Sequence, residues 1–319
     1  VHAGVGHEVL VKLREDLRID RILEDLAPLL DGAIEGAERT RDMLLEAASA
    51  TDLIHLGPEG KWHNCADVDA YLVPGRPQFL GETILFNARS YPAWGRLADA
   101  LRTSAPTMKP EHFLGDDPAA TRNFVLAMHN RAIGVARCLV AMLDLTGRSR
   151  LLDVGGGPAT YCRLIAERYP ALQATVMDLP GVLAVASELL AGSPAADRVT
   201  LRPGNMFTDP FGSGYDAILI SGVLHRTETD STIAILRKAA AALQPGGLLA
   251  ISDLFTGGGS TGPVLPELFS LHMLITADAG RSLPRERIEG YLHAAGFRFV
   301  AFTPYPAPLP HALCIAERI

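Results

Sequence analysis

Three consecutive glycines, an acid about twenty residues beyond them, and a histidine at the end of a later apolar run are the residues of this chain with the clearest chemical use. Gly155, Gly156 and Gly157 stand in RLLDVGGGPATYC, between an apolar run and an amphipathic segment. Lacking Cβ atoms, they let the backbone approach a ligand closely. Asp178 closes the next apolar run, QATVMD, where a carboxylate accepts hydrogen bonds from both hydroxyls of a ribose. Nicotinamide dinucleotide sites also combine glycines with a distant acid, but their fingerprint is G-x-G-x-x-G/A. Here the stretch reads GGGPAT, with Thr160 where a third small residue would allow tight helix packing. Asp153, directly before the loop, would add negative charge where a pyrophosphate lies. Loop and acid therefore suit a cofactor carrying an ammonium and a sulfonium better than a dinucleotide. His225, in ILISGVLHRTETD, is the candidate general base, because an imidazole titrates near neutral pH.

These residues need a scaffold that gathers them at one edge. The runs RLLDV, QATVMDL, RVTLRPG, YDAILIS and GLLAISDL alternate with amphipathic segments such as TYCRLIAERYP and GVLAVASELLAG. That alternation predicts a parallel α/β sheet covered on both faces. Ligands of such sheets lie beyond the carboxyl ends of the strands, near the point where strand order reverses. Gly246 and Gly247, after Pro245, read as a helix stop leading into the fifth strand. The final FRFVAFTPYPAPLPHALCIAERI offers two strands around a Pro-rich turn, a hairpin that closes the sheet. The first half reads as helical: Val9, Leu10, Leu13, Leu17, Ile22, Leu23, Leu26, Leu29 and Leu30 recur at helical spacing. Further helices are expected from about Gly81 to Leu101 and from about Pro118 to Leu145. Gly and Pro punctuate residues 55 to 75, where a small hairpin fits, and helices followed by a hairpin predict a winged-helix module.

The bulk composition limits the function classes. The chain has 319 residues, of which 48% are hydrophobic and 20% charged, as expected of a folded chain of two domains or of one domain with a large extension. A formal charge of -7 argues against a general grip on nucleic acid. It also weighs against a cofactor-sensing DNA-binding regulator, as does the lack of a Lys/Arg-rich recognition helix. No apolar run approaches 18 residues, so no membrane partner is expected. Cys65, Cys138, Cys162 and Cys314 are far apart, which predicts reduced thiols in a cytoplasmic protein. His55, His63 and Cys65 match no ligand spacing, and no metal is expected.

In order and spacing, LLDVGGGPATY, VMDLPGV, RVTLRPGNMFTDPFG, YDAILISGVLH and LQPGGLLAISD resemble the class I S-adenosylmethionine-dependent methyltransferases. More closely, they resemble the small-molecule O-methyltransferases that include the caffeic acid and hydroxyindole enzymes. The resemblance covers roughly residues 120 to 319 in motif detail. It implies a Rossmann-like methyltransferase sheet with a C-terminal β-hairpin at 148 to 319 and a linking helix lining the acceptor pocket at 116 to 147. Residues 1 to 115 would form a mainly α winged-helix domain through which two chains dimerise. S-adenosylmethionine, leaving as S-adenosylhomocysteine, would be held by Asp153, Gly155, Gly156, Gly157, Asp178, Leu179, Asn205, Met206, Phe207 and Ser221. Within that set the glycine loop would take the methionine portion, Asp178 the ribose and Leu179 the adenine. Asn205 stands where the family has an aspartate and keeps an acceptor for the adenine amino group. His225 would be the catalytic base, oriented by Asp253 through its other ring nitrogen. Met128, His129, Arg226, Phe269, His272 and Met273 would meet the acceptor, with Arg131 on the same helix as His129.

Two departures stand out. The family's second acid aligns with Ser282, and its Asp-Trp after the histidine is replaced by Arg226 and Thr227. An inward-pointing Arg226 would favour an acidic acceptor. The expected reaction is O-methylation of a small hydroxylated metabolite, aromatic or acid-bearing. The departures keep open S- or N-methylation of a small thioether, thiol or amine acid, which needs alignment but no base.

Overall fold

The computed structural model describes residues 34–110, 114, 117–257 and 264–319; the helical spacing read between Val9 and Leu30 lies outside them. The chain divides into two compact units, Val1–Tyr91 and Pro92–Ile319.

In the first unit, α1 (Ile34–Ala50) leads into an antiparallel hairpin of β1 (Ile54–Leu56) and β2 (Trp62–Asn64). The hairpin falls where Gly and Pro punctuate the sequence, and Gly60 in its turn has φ +76°. His55 and His63 face each other across it, their rings stacked at 5.5 Å, and His63 pairs with Glu59. Among the described residues no group of three or more His, Cys, Asp or Glu is placed to hold a metal ion. Helix α2 (Ala66–Tyr71) follows, then α3 (Gly81–Trp94), which runs into the second unit. The single helix expected to reach Leu101 is two: α3 ends at Trp94 and α4 spans Leu97–Thr103. Pro92 removes a backbone donor from the last turn of α3 and Gly95 follows, a combination that stops a helix.

In the second unit α4 is followed by α5 (Pro118–Met142), capped by Asp117, whose carboxylate accepts from the N–H groups of Ala119 (2.8 Å) and Ala120 (3.2 Å). This is a regular start: an acid at the cap and proline at the first helical position. By length and composition α5 could cross a membrane. Its Val125 packs instead with Val182 and Val185, and its Val135 and Leu139 with Ile165.

The sheet strands are β3 (Arg150–Val154), β4 (Gln173–Asp178), β5 (Val199–Pro203), β6 (Tyr215–Ser221) and β7 (Leu243–Asp253). They alternate with α6 (Thr160–Arg168), α7 (Pro180–Leu190) and α8 (Thr229–Ala242). After β7 come a short β8 (Phe255–Thr256), α9 (Val264–Thr276), a short β9 (Leu283–Pro284) and α10 (Arg285–Ala294). The chain ends in the expected hairpin, β10 (Phe297–Pro304) and β11 (Ala312–Arg318). Strand order is β10-β11-β7-β6-β3-β4-β5. The pairings from β5 across to β7 are parallel, and β11 runs antiparallel to both neighbours. From β3 the chain builds outward through β4 and β5, then returns to the other side as β6 and β7. The order therefore reverses between β3 and β6, and their carboxyl ends flank the crevice.

Burial on both faces fixes this layer. Leu152, Ile218 and Ile220 pack in one cluster with Leu236 and Leu292, while Leu151, Ala217 and Leu219 pack in another with Leu139, Ile165 and Leu183. Each fully buried Leu or Ile stabilises the fold by about 1.5–3 kcal/mol. One detail departs from the sequence reading. Helix α8 stops at Ala242 and the strand begins at Leu243, so Gly246 and Gly247 lie inside β7. Leu243 already pairs with Tyr215, whereas Leu248 pairs with Ala217; the glycine pair thus makes a bulge, with Gly246 at φ +70°.

Candidate active site

The three glycines serve different ends. Gly155 (φ +67°) donates its N–H to the Met177 carbonyl at 2.8 Å, and a Cβ there would meet the Val223 side chain at 2.8 Å. A Cβ on Gly156 would strike the Asp153 carboxyl at 2.6 Å and Val176 at 2.9 Å. Gly157 (φ +55°) donates to Asp178 Oδ2 at 2.8 Å, with open space where its Cβ would be. Ala159, just before α6, also has positive φ (+61°), and strain of this kind, on the order of 1–2 kcal/mol in a non-glycine residue, gathers at ligand sites.

Asp178 ties the loop to the second strand, because its Oδ1 also accepts from the Leu179 N–H at 2.7 Å. Burial raises its pKa, against the two backbone donors. Leu179 and Phe207 keep 37% and 52% of their surface exposed, and each offers an apolar face to a flat heteroaromatic ring. Asn205 Oδ1 accepts from the Phe207 N–H at 2.9 Å, which shapes the turn and leaves the second lone pair of the amide oxygen. Met206 packs half-buried on the sheet core, and its carbonyl accepts from Lys238 Nζ.

Asp153 is fully buried beneath the loop. Its Oδ2 accepts from Cys162 Sγ at 3.6 Å, its Oδ1 has no partner, and burial pushes its pKa up to about 7. An orphaned carboxylate oxygen below a backbone cradle fits a ligand with an ammonium group. Ser221, at the end of β6, hydrogen-bonds Tyr161.

On the other side of the crevice, β6 leads through Gly222 (φ +64°) into a single helical turn, Leu224–Arg226, that presents His225. The imidazole is buried, and its Nδ1 lies 2.7 Å from Asp253 Oδ1 at the end of β7. That contact assigns the proton to Nδ1 and leaves Nε2 as the free nitrogen. Asp253 Oδ1 also accepts from the Leu254 N–H at 2.8 Å, while Oδ2 has no partner. Burial alone would raise the Asp253 pKa; the His225 charge and hydrogen bond, with the Leu254 donor, outweigh it and hold the carboxyl below its usual value. Gly280 (φ +109°) presses on this turn, and a Cβ there would fall 2.3 Å from the His225 carbonyl oxygen.

Helix α9 covers the imidazole. Phe269 meets His225 edge-on, with centroids 4.9 Å apart at 86°, and the Arg131 guanidinium lies over the Phe269 ring, 5.4 Å from its centre. His272 packs against Phe269 at 5.6 Å and stacks on Trp94 at 5.9 Å. Burial, then the charges of Arg131, His225 and Arg226, push the His272 pKa down to about 4.

Of the residues expected at the acceptor, Phe269 and His272 thus gather around His225. His129 does not: its Nδ1 lies 2.7 Å from Thr160 Oγ1, where it braces the start of α6. Met273 is buried in the core, Met128 is half-buried, and Arg226 is half-buried within range of the Asp278 charge. Ser282 donates to the Pro266 carbonyl at 2.7 Å, a bond that ties down α9. Two groups escaped the sequence reading. Tyr161, one turn past the glycines, lies within electrostatic range of Arg131, Asp153 and Asp253. His311, in the Pro-rich turn before β11, has an unpartnered Nδ1 and a pKa pushed down to about 4 by burial, then by Arg131. The signal for Tyr161 was its spacing; for His311 it was the Ala312–Asp253 register, which only the folded sheet reveals.

An O-methyltransferase domain family matches residues 94–298. The chain is 32% identical over 275 residues to a 3-hydroxy-5-methyl-1-naphthoate 3-O-methyltransferase of Streptomyces sahachiroi, covering 85% of this chain and 79% of that one. It is 30% identical over 268 residues to the tetracenomycin polyketide synthesis 8-O-methyl transferase of Streptomyces glaucescens, covering 83% and 79%. Among solved structures, human N-acetylserotonin methyltransferase in complex with SAM superposes with a TM-score of 0.82 at 21% identity, over 99% of this chain and 91% of that one. The mitomycin 7-O-methyltransferase superposes with a TM-score of 0.81 at 25% identity, over 100% and 93%.

Proposed function

Because the chain belongs to the O-methyltransferase family and is an S-adenosylmethionine-dependent methyltransferase, we propose that it methylates a hydroxyl of a small aromatic metabolite with His225 as general base. The observation that carries this reading is the buried His225–Asp253 pair at 2.7 Å, with Nε2 left free.

The cofactor supplies an electrophilic methyl group on a sulfonium, transferred in line to a nucleophile. Gly155 and Gly157 would hold its methionine end, Asp153 its ammonium, Asp178 its ribose, and Leu179 with Phe207 its adenine. What remains for the protein is to present the nucleophile ionised. A phenol of pKa about 10 is ionised to about one part in a thousand at pH 7, and a positioned base contributes about 10²- to 10⁴-fold. Nε2 would take the hydroxyl proton, and the imidazolium so formed would be held by the Asp253 carboxylate at Nδ1. Phe269, edge-on to the ring, would keep water away from the exchange.

Ser282 in the place of a second acid favours one other reading, S- or N-methylation by alignment alone. His225→Ala separates the two. Turnover of a hydroxynaphthoate panel should fall at least about a hundredfold while S-adenosylhomocysteine binds as before; unchanged turnover would overturn the base assignment.

Residues 1 to 115 would pair two copies, a reading supported by Met43, Leu56, Ile84 and Tyr91 being exposed on the first unit. A sedimentation mass of one chain at micromolar concentration would exclude it. The four unpaired cysteines support a reducing, cytoplasmic setting.

A further inference from the structure

We propose that Arg131 is the receptor for a carboxylate on the acceptor, so that the substrates are hydroxylated aromatic acids. The inference rests on the reading of His225 as the hydroxyl end of the pocket. Phe269 is the shared wall: His225 meets its edge at 4.9 Å and the Arg131 guanidinium lies over its ring at 5.4 Å. A flat acceptor laid along that wall presents a hydroxyl to Nε2 and a carboxylate to the guanidinium.

Among the described residues Arg131 has neither an ion pair nor a hydrogen bond; burial lowers its pKa, and the nearby Tyr161 and Asp253 only partly offset that. Asp253 is committed to His225 and the Leu254 N–H through the same oxygen. Arg131 as a residue is exposed, while neighbouring atoms desolvate its guanidinium, a setting in which a carboxylate partner gains most. Five donors on an unpaired guanidinium, held in place by an aromatic ring, are what a bidentate carboxylate requires. The Arg131 charge reaches His272 and His311 and disfavours protonation of both, with Asp253 acting on His311 in the opposite sense. Arg226 is the weaker receptor: the Asp278 charge lies within its range, and Gly280 presses on its backbone.

The amino-acid end of the cofactor also carries a carboxylate, and the test separates the two sources. Wild-type, Arg131→Met and Arg131→Lys proteins are each saturated with S-adenosylhomocysteine. They are then titrated calorimetrically with 3-hydroxy-1-naphthoate and 3-amino-4-hydroxybenzoate, and with the matching carboxamides. For wild type the acids should bind at least about tenfold tighter than the amides. The ratio should fall close to one in Arg131→Met and recover in part in Arg131→Lys. Titration with S-adenosylhomocysteine alone should give the same affinity in all three. No acid preference in the wild type overturns the proposal. So does a preference that survives Arg131→Met, or a loss of S-adenosylhomocysteine affinity with the acid-to-amide ratio unchanged. Arg131-dependent binding of acids that mass spectrometry shows are never methylated on oxygen would overturn the O-methylation reading and leave this one standing.

Discussion

The two edges of the central sheet are built from similar residues and behave differently. At the amino edge the Asp216 carboxylate accepts from Ser149 N–H (2.7 Å), Ser149 Oγ (2.9 Å) and Arg150 N–H (2.9 Å). Arg148 donates to the Asp216 carbonyl at 2.8 Å, and the Tyr169 hydroxyl donates to Leu143 and accepts from Leu145. At the carboxyl edge Asp153 Oδ1, Asp253 Oδ2 and His311 Nδ1 are buried without partners, and Ala159, a non-glycine residue, has positive φ. A hollow of about 290 Å³ opens at the amino edge, between Met142, Asp144, Arg168 and Tyr169. Space alone therefore does not mark the chemistry. Unspent hydrogen-bonding capacity does, because a fold keeps such a cost only where a ligand offsets it.

The sharpest way to break this comparison is to remove one carboxylate from each edge. Asp178→Ala should weaken S-adenosylhomocysteine binding at least about tenfold, since it removes the ribose acceptor and strands the Gly157 and Leu179 donors. Asp216→Ala should leave that affinity unchanged and lower stability by about 1–2 kcal/mol, read by calorimetry and by denaturant titration. Equal loss of binding in both variants would end the distinction between the edges.

A smaller effect concerns pH. The folded protein holds the Asp153 proton up to about pH 7, whereas the unfolded chain releases it near the ordinary value of 3.8. Stability from this group therefore falls as pH rises from about 4 to about 7 and is level above that. Asp153→Asn should remove the decline. The unliganded variant should melt on the order of 5 °C above wild type at pH 8 and level with it at pH 4, while its affinity for S-adenosylmethionine drops. Parallel melting curves across that range would contradict the burial argument.

The smallest change is expected from Ser282→Ala. Loss of the bond to Pro266 should cost about 1 kcal/mol and leave kcat within about threefold. A tenfold fall in kcat would place the serine in the reaction.

Much of the carboxyl edge could be read in the chain itself. Glycines, Asp178, His225 and Asp253 sit at ends of apolar runs, and strand periodicity delivers every such end to one side of a parallel sheet. Side chains on helices were harder to place, because a helix face has no fixed partner until it packs. His129 and Arg131 are two residues apart on α5, yet one braces Thr160 and the other lies over Phe269. Likewise Ser282 could be aligned but not interpreted, since its partner is a backbone carbonyl sixteen residues upstream. The break between α3 and α4 was a local matter of Pro92 and Gly95. The bulge at Gly246 depended on pairing with Tyr215, a neighbour distant in the chain.

Gly280 sets a limit for anyone who wishes to reshape this enzyme. Main chain touches main chain where it meets the turn that carries His225, so no side chain is there to repack and no neighbouring substitution can absorb an error. The face of α9 offers Phe269 and His272 to a library designer as replaceable surfaces. Position 280 is the fixed pivot, and randomising it would misplace the imidazole before any new acceptor could be tried.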